Sequence, residues 1–435
     1  MADPFTLGVA SGEPLPDGVV LWTRLAPRPL QPGGGLPARP VAVEWQVAED
    51  SRFTKVVRSG RLQAQPAWAF SVHARVDGLR PGAEYFYRFR AGRDVSPTGR
   101  TRTAPDPAST APVRFALASC QRYEHGLYQA YRHLAAERPD VVFFVGDYIY
   151  ESRQAADPVR PLPDPGEAAT LAAYRLRYTR YKLDKDLQAA HAAAPWVATW
   201  DDHEVADNYT GAPAFFARRT HAYRAFYENM PIRVKPDGHL LQMFRRRSYG
   251  RIADFMVLDS RQFRVPGDML GRAQEAWLLD RLKVSTMRWK VLVQPLFFAR
   301  RLVPGNPPSL RLDAWDGFQA QRARILATRP EGLVVLSGDV HNTWVGDLLA
   351  DFLDPASAIV GSEFVASSVS SRPPVTDAPA VLAANPHLRF FDGRRGYLSG
   401  TASSTDFRIS VKDAVTGAAI AEFVTEGRGV RRSDV

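Results

Sequence analysis

The chain has 435 residues, 45% hydrophobic and 23% charged, with 56 Lys and Arg against 46 Asp and Glu for a formal charge of +10. That balance describes a soluble globular protein of one large or two ordinary domains, and no apolar run reaches the ~18 residues a membrane span needs. The basic surface favours small anionic partners, while its dispersed arginines (the longest basic run is 245–247) argue against a nucleic-acid footprint, and a single cysteine, Cys120, excludes an intrachain disulfide.

Residues 4–104 read as short strands: VVLWTRL, VAVEWQVA, FSVHARV and EYFYRFRAG, parted by turn clusters such as PGGGLP. Strands at that spacing predict an N-terminal β-sandwich of immunoglobulin or fibronectin III type, with Trp22, Trp45 and Trp68 in its core. Residues 101–112, TRTAPDPASTAP, read as a linker. A second domain, 113–425, then alternates apolar strands with helices. The helices are expected near 125–137, 168–194, 214–228, 274–282 and 319–327, with a loop-rich stretch at 345–398 and a strand-like tail to about 424.

What stands at the strand ends carries the chemistry. VRFALAS stops at Cys120; VVFFVG stops at Asp147 with Tyr150 beyond; WVATW stops at Asp201, Asp202 and His203; GLVVLSG stops at Asp339 with His341 two places on. If these strands share one sheet and one direction, their groups converge on one edge, where α/β folds collect ligands. Several carboxylates at one rim are costly to desolvate without cations, so a polynuclear metal site is expected there. The spacing lacks the Cys/His pattern of structural zinc, which favours a catalytic site.

The ordered run SCQ, GDYIYE, TWDDHE, LDSRQFR, GRAQEAWL and LSGDVHNTW resembles the PhoD-like alkaline phosphatase family of metallophosphoesterases, and residues 5–27 resemble the domain preceding its catalytic part. The resemblance, covering about 4–397, implies a layered α/β/β/α catalytic domain similar to purple acid phosphatases. It implies one iron (Fe3+) held by Cys120, Asp147, Tyr150 and His341, and one or two calcium ions (Ca2+) held by Asp147, Asp202 and Asp339. Asp147 bridges the two in that scheme. Asp201 is left open between a further calcium and an orienting role, and Glu204 is expected to be a hydrogen-bond partner rather than a ligand. His203 takes the place of the family's acid, while Arg122 and His387 lie in stretches resembling its phosphate-contacting loops.

The implied activity is phosphomonoester hydrolysis by a metal-activated hydroxide, with a phosphodiesterase or phospholipase D-like esterase as the alternative. A binding protein with a vestigial centre is the rival from another class, and the intact ligand set argues against it. The family is commonly exported with a twin-arginine leader, and MADPFTLGVASGEP shows no such pattern. The chain is therefore expected either as the mature form of a secreted or periplasmic protein or as a cytoplasmic one, and as a monomer.

Overall fold

The computed structural model describes residues 2–305, 307–354 and 356–433. Two large sheets lie face to face, with helices on both outer surfaces. The first has ten strands; at its centre Val113–Ala118, Val141–Val145 and Pro195–Thr199 run parallel. The second has seven, centred on the parallel strands Ala253–Val257, Trp289–Val293, Leu333–Ser337 and Ile359–Val365.

Side-chain alternation builds the layers. In VVFFV, Phe143 and Val145 point into the core between the sheets, against Phe255, Val291 and Leu336. Val142 and Phe144 point the other way, onto Tyr131 and Leu187 of the first helical layer and Trp196 of the neighbouring strand. The opposite face of the second sheet, through Leu292 and Val335, packs on Leu278 and Ile325 of the second. Strands buried on both faces read as unbroken apolar runs, which is why they are visible in the sequence. The result is the expected α/β/β/α order.

Four features depart from the sequence reading. The strand ending near Asp339 belongs to the second sheet, so the four strand ends do not share one sheet; they meet because the two sheets stack with their carboxyl edges together. The helical region read over 168–194 is divided into two helices, Leu171–Lys182 and Lys185–Ala193. Asp184 separates them, its carboxylate accepting from the Asp186 and Leu187 N–H groups at 3.0 and 3.1 Å. The loop-rich stretch 345–398 holds Ile359–Val365 in the middle of the second sheet, despite Gly361, Ser362 and Glu363. Glu363 is tolerated in the core because Phe298 N–H, Ala299 N–H and the Ser337 hydroxyl all donate to it.

The fourth departure concerns the N-terminal unit. Its strands form two layers around a core that includes Leu21, Val43, Val72 and Tyr87. One layer, however, begins with Val9–Leu15, which pairs in parallel with Pro195–Thr199, so the ten-stranded sheet runs without a break into this unit. VASGEPL has no strand-like composition. It is held by close approach: a methyl on Gly12 would stand 2.5 Å from the Pro231 carbonyl oxygen. Buried Glu13 accepts from Arg245 at 2.9 Å and from Arg247. Trp22 is fully buried, but against Lys182 and the Glu228 carbonyl rather than within the sandwich core, and Trp45 and Trp68 are only half-buried. Among the described residues no helix is long and apolar enough to cross a membrane.

Candidate metal centre

Cys120, Asp147, Asp339 and His341 each sit just past a strand, and each adopts a left-handed backbone, with φ of 57°, 58°, 67° and 58°. For residues other than glycine that conformation costs about 1–3 kcal/mol apiece, and it clusters where a site requires it. The turns are over-determined by their neighbours. Cys120 N–H donates to the Gly146 carbonyl and Gln121 N–H to the Asp147 carbonyl, both at 3.1 Å. The buried Glu204 carboxylate accepts from the N–H groups of Asp147, Tyr148 and Asp201, at 3.1, 2.6 and 2.9 Å, locking two strand ends together. Gly146, at φ +95°, lies so close that a methyl there would fall 2.5 Å from the Asp201 Cβ.

This frame brings the sheets' side chains into one cluster. The Tyr150 hydroxyl donates to Asp147 Oδ2 at 2.7 Å, lies 3.0 Å from His341 Nε2, and accepts from the Ser371 hydroxyl at 2.9 Å. His341 Nδ1 is taken up by the Arg372 carbonyl at 3.1 Å, which leaves Nε2 facing the cluster. Ligand atoms of Cys120, Asp147 and His341 lie within 4.8 Å of one another, and so do those of Asp147, Asp202 and His203. Asp147 is common to both groups.

Behind the second group stands Arg261, fully buried. Its Nε donates to Asp201 Oδ1 at 2.5 Å, and its terminal nitrogens reach Asp202 Oδ1 at 3.7 Å and Asp313 Oδ2 at 3.0 Å. His203 lies against the Tyr150 ring at 4.3 Å between centroids and donates from Nδ1 to Glu151 Oε2 at 2.8 Å.

Burial and mutual repulsion set the charges. Burial pushes the Asp147 carboxyl well up, and the nearby Asp202 adds to it against the pull of His203. Burial lifts Asp201 to about 8 and Asp339 to about 6, in each case against Arg261. Asp202 goes the other way, to about 2, because Arg261, His203 and the Asn208 N–H outweigh its desolvation. Burial, reinforced by Asp147, also raises the Cys120 thiol and the Tyr150 phenol well above their ordinary values. His203 is burdened by burial, yet Asp202, Asp147 and Glu151 raise it well above the usual histidine range. Ionised carboxylates this close together are mutually costly, and a cation among them would offset that cost.

The sequence family described as PhoD-like phosphatase matches residues 115–411, and its N-terminal domain matches 1–105. The chain belongs to the PhoD-like phosphatase family. It is 44% identical to alkaline phosphatase D of Bacillus subtilis (strain 168) over 464 positions, covering 96% of this chain and 79% of that protein. A solved structure of PhoD superposes with a TM-score of 0.93 at 41% identity, over 100% of this chain and 92% of that one. The purple acid phosphatase PPD1 from yellow lupin (Lupinus luteus) seeds shares the fold, with a TM-score of 0.61 at 11% identity over 96% and 73% of the two chains.

Within this PhoD-like centre the donor set suits bound metal ions. Asp147 Oδ1 and Asp201 Oδ2 are buried oxygens without a hydrogen-bond partner among the described residues, each of which a cation would satisfy. Thiol, phenol and imidazole collect on the Asp147–His341 side, and carboxylates on the other.

Not every residue singled out in the sequence arrives there. Arg122 does come near, its guanidinium 5.1 Å from the Tyr150 ring centroid, but Nε is engaged by Glu124 at 2.6 Å. His387 does not join the cluster: Nε2 donates to the Arg300 carbonyl at 2.8 Å, the ring packs on Phe352, and it lines a different cavity. Glu204 is a hydrogen-bond partner, as read from the sequence. Arg261, Ser371 and Glu151 escape a sequence reading. Arg261 lies inside LDSRQFR and Glu151 ends GDYIYE, so the motifs contain them, but nothing local distinguishes a buried clamp from a surface charge.

Proposed function

We propose that this member of the PhoD-like phosphatase family is a metal-dependent phosphomonoesterase, using one Fe3+ and one or two Ca2+. The observation that carries the reading is Asp147, shared by two ligand groups and holding one buried oxygen unpaired among the described residues. In this reading Cys120, Asp147, Tyr150 and His341 hold the iron, whose softer thiolate ligand suits a transition metal. Asp147, Asp202 and Asp339 hold calcium through oxygen alone. Asp201 serves chiefly to orient, through Arg261. When bound, the ions supply Lewis-acid activation of water and neutralise phosphoryl charge.

The chain's own residues do the rest. Glu204 fixes the Asp147 and Asp201 turns, so the ligands need little reorganisation. His203, kept protonated by its carboxylate neighbours and aligned through Nδ1 on Glu151, presents Nε2 to donate a proton to the leaving alkoxide. Arg122 over Tyr150 adds positive charge on the phosphate side. No side-chain nucleophile is required, and no covalent intermediate. We further propose that the protein acts as a monomer on small phosphoesters in a secreted or periplasmic setting, with a cytoplasmic location as the alternative.

The test is elemental analysis of protein purified without chelator, beside turnover of an aryl phosphate, a matched diester and a phospholipid. Monoester turnover dependent on iron and calcium is expected; a diester preferred over the monoester would replace our reading with the esterase alternative. In Cys120→Ser, iron content and any visible thiolate or phenolate absorption band should fall while the fold persists, as judged by circular dichroism. His203→Ala should lower kcat by ~10²–10⁴-fold with metal content retained, since general-acid catalysis contributes on that scale. Loss of metal in that variant would instead make His203 a ligand.

A further inference from the structure

A cavity of ≈ 470 Å³ opens beside Asp339 and His341 and is lined as well by Arg301, Arg311 and Trp344. That is room for far more than a phosphoryl group. Arg301 is half-buried, its guanidinium stacked 4.7 Å from the Phe297 ring centroid and 5.9 Å from that of Trp344. Stacking holds the planar fork rigid while leaving its N–H edge available. Among the described residues neither Arg301 nor Arg311 has a side-chain hydrogen bond or ion pair. The neighbouring buried arginines are neutralised: Arg322 donates to Asp316 at 2.9 Å and Arg264 to Asp313 at 2.5 Å.

The local backbone sharpens the contrast. Leu302–Val303 and Ser309–Leu310 form a two-stranded ribbon in which Leu302 pairs with Leu310, so Arg301 and Arg311 stand one step beyond that pair, across from each other. Like charges opposite one another in a ribbon are destabilising. An anion shared between them would reverse the sign of that interaction.

We propose that Arg301 and Arg311 form a second anion subsite, which takes a phosphate or carboxylate carried on the leaving group while the scissile phosphate lies at the Asp339–His341 end of the cavity. This rests on the phosphatase reading above and narrows its substrates to phosphomonoesters bearing a second anionic group.

The experiment compares phenyl phosphate, carboxyphenyl phosphate and an alkanediol bisphosphate on the metal-loaded protein and its Arg301→Met and Arg311→Gln variants. The wild-type kcat/KM should favour a second-anion substrate over phenyl phosphate by about tenfold or more, the scale of one or two charge-assisted hydrogen bonds. Both variants should lose most of that preference, chiefly through KM, and whichever second-anion substrate shows the loss identifies the group recognised. Arg311 is exposed, so its variant tests the idea even if Arg301→Met folds poorly. Equal kcat/KM for all three substrates in the wild type, or equal losses on all three in the variants, would overturn the subsite and leave the phosphatase reading standing. No turnover of any of them by metal-replete protein would remove the phosphatase reading itself.

Discussion

Asp147→Asn should abolish turnover and, in chelator-treated protein, make the fold more stable. The two effects have one cause. Asp147 is buried at a left-handed turn with Oδ1 unpaired among the described residues and Asp202 close by, so its ionised form is costly without a cation. An amide keeps an oxygen to accept from Tyr150 and removes the charge. Stability of the metal-free protein to urea should then rise, by about 1.4 kcal/mol for each unit by which burial and Asp202 lift the carboxyl above its unfolded value. Metal content should fall and kcat/KM drop by ~10³-fold or more, because the lost electrostatic contribution of a metal centre is several kcal/mol. Equal urea midpoints for the two metal-free proteins would show that Asp147 is satisfied by the fold alone and would undo the bridging assignment.

Arg261→Met should do the reverse to the metal-free protein. Three carboxylates, those of Asp201, Asp202 and Asp313, lie around one fully buried guanidinium. Removing that cation strands Asp201 above all, since Asp313 keeps Arg264 and Asp202 keeps the Asn208 N–H, and breaking a buried pair from one side costs about 3–5 kcal/mol. Adding Asp201→Asn to the variant should recover part of the loss, because the carboxylate directly bonded to Nε no longer needs a counter-charge. Calcium should also narrow the gap between wild type and variant, since it replaces the missing positive charge near Asp202. Urea titrations of the four proteins of this cycle, with and without calcium, measure the coupling directly. Additive effects with no response to calcium would mean that Arg261 is a packing residue.

These two residues show what is legible without the fold. Asp147 is legible because a doubly buried strand announces itself as an apolar run, and the first polar residue after it must lie at the sheet edge. Cys120, Asp202 and Asp339 are legible for the same reason. Arg261 is not: it follows a strand by a few residues, DSR looks like surface, and its partners Asp201 and Asp313 are 60 and 52 positions away. Val9–Leu15 is invisible too, since VASGEPL is held by pairing with Pro195–Thr199 and by Arg245 rather than by its own propensity.

The sequence alone therefore determined which segments are doubly buried strands, their order along the chain and which chemistry-bearing residues end them, because burial on two faces writes itself into composition. Only the tertiary structure decided that those ends belong to two stacked sheets rather than one, that His387 faces a cavity of its own, and that Arg301 and Arg311 stand opposed beside the centre. The physical reason is range: strand burial is recorded within a few neighbouring residues, whereas partner choice for a charge is settled by groups that only folding brings together.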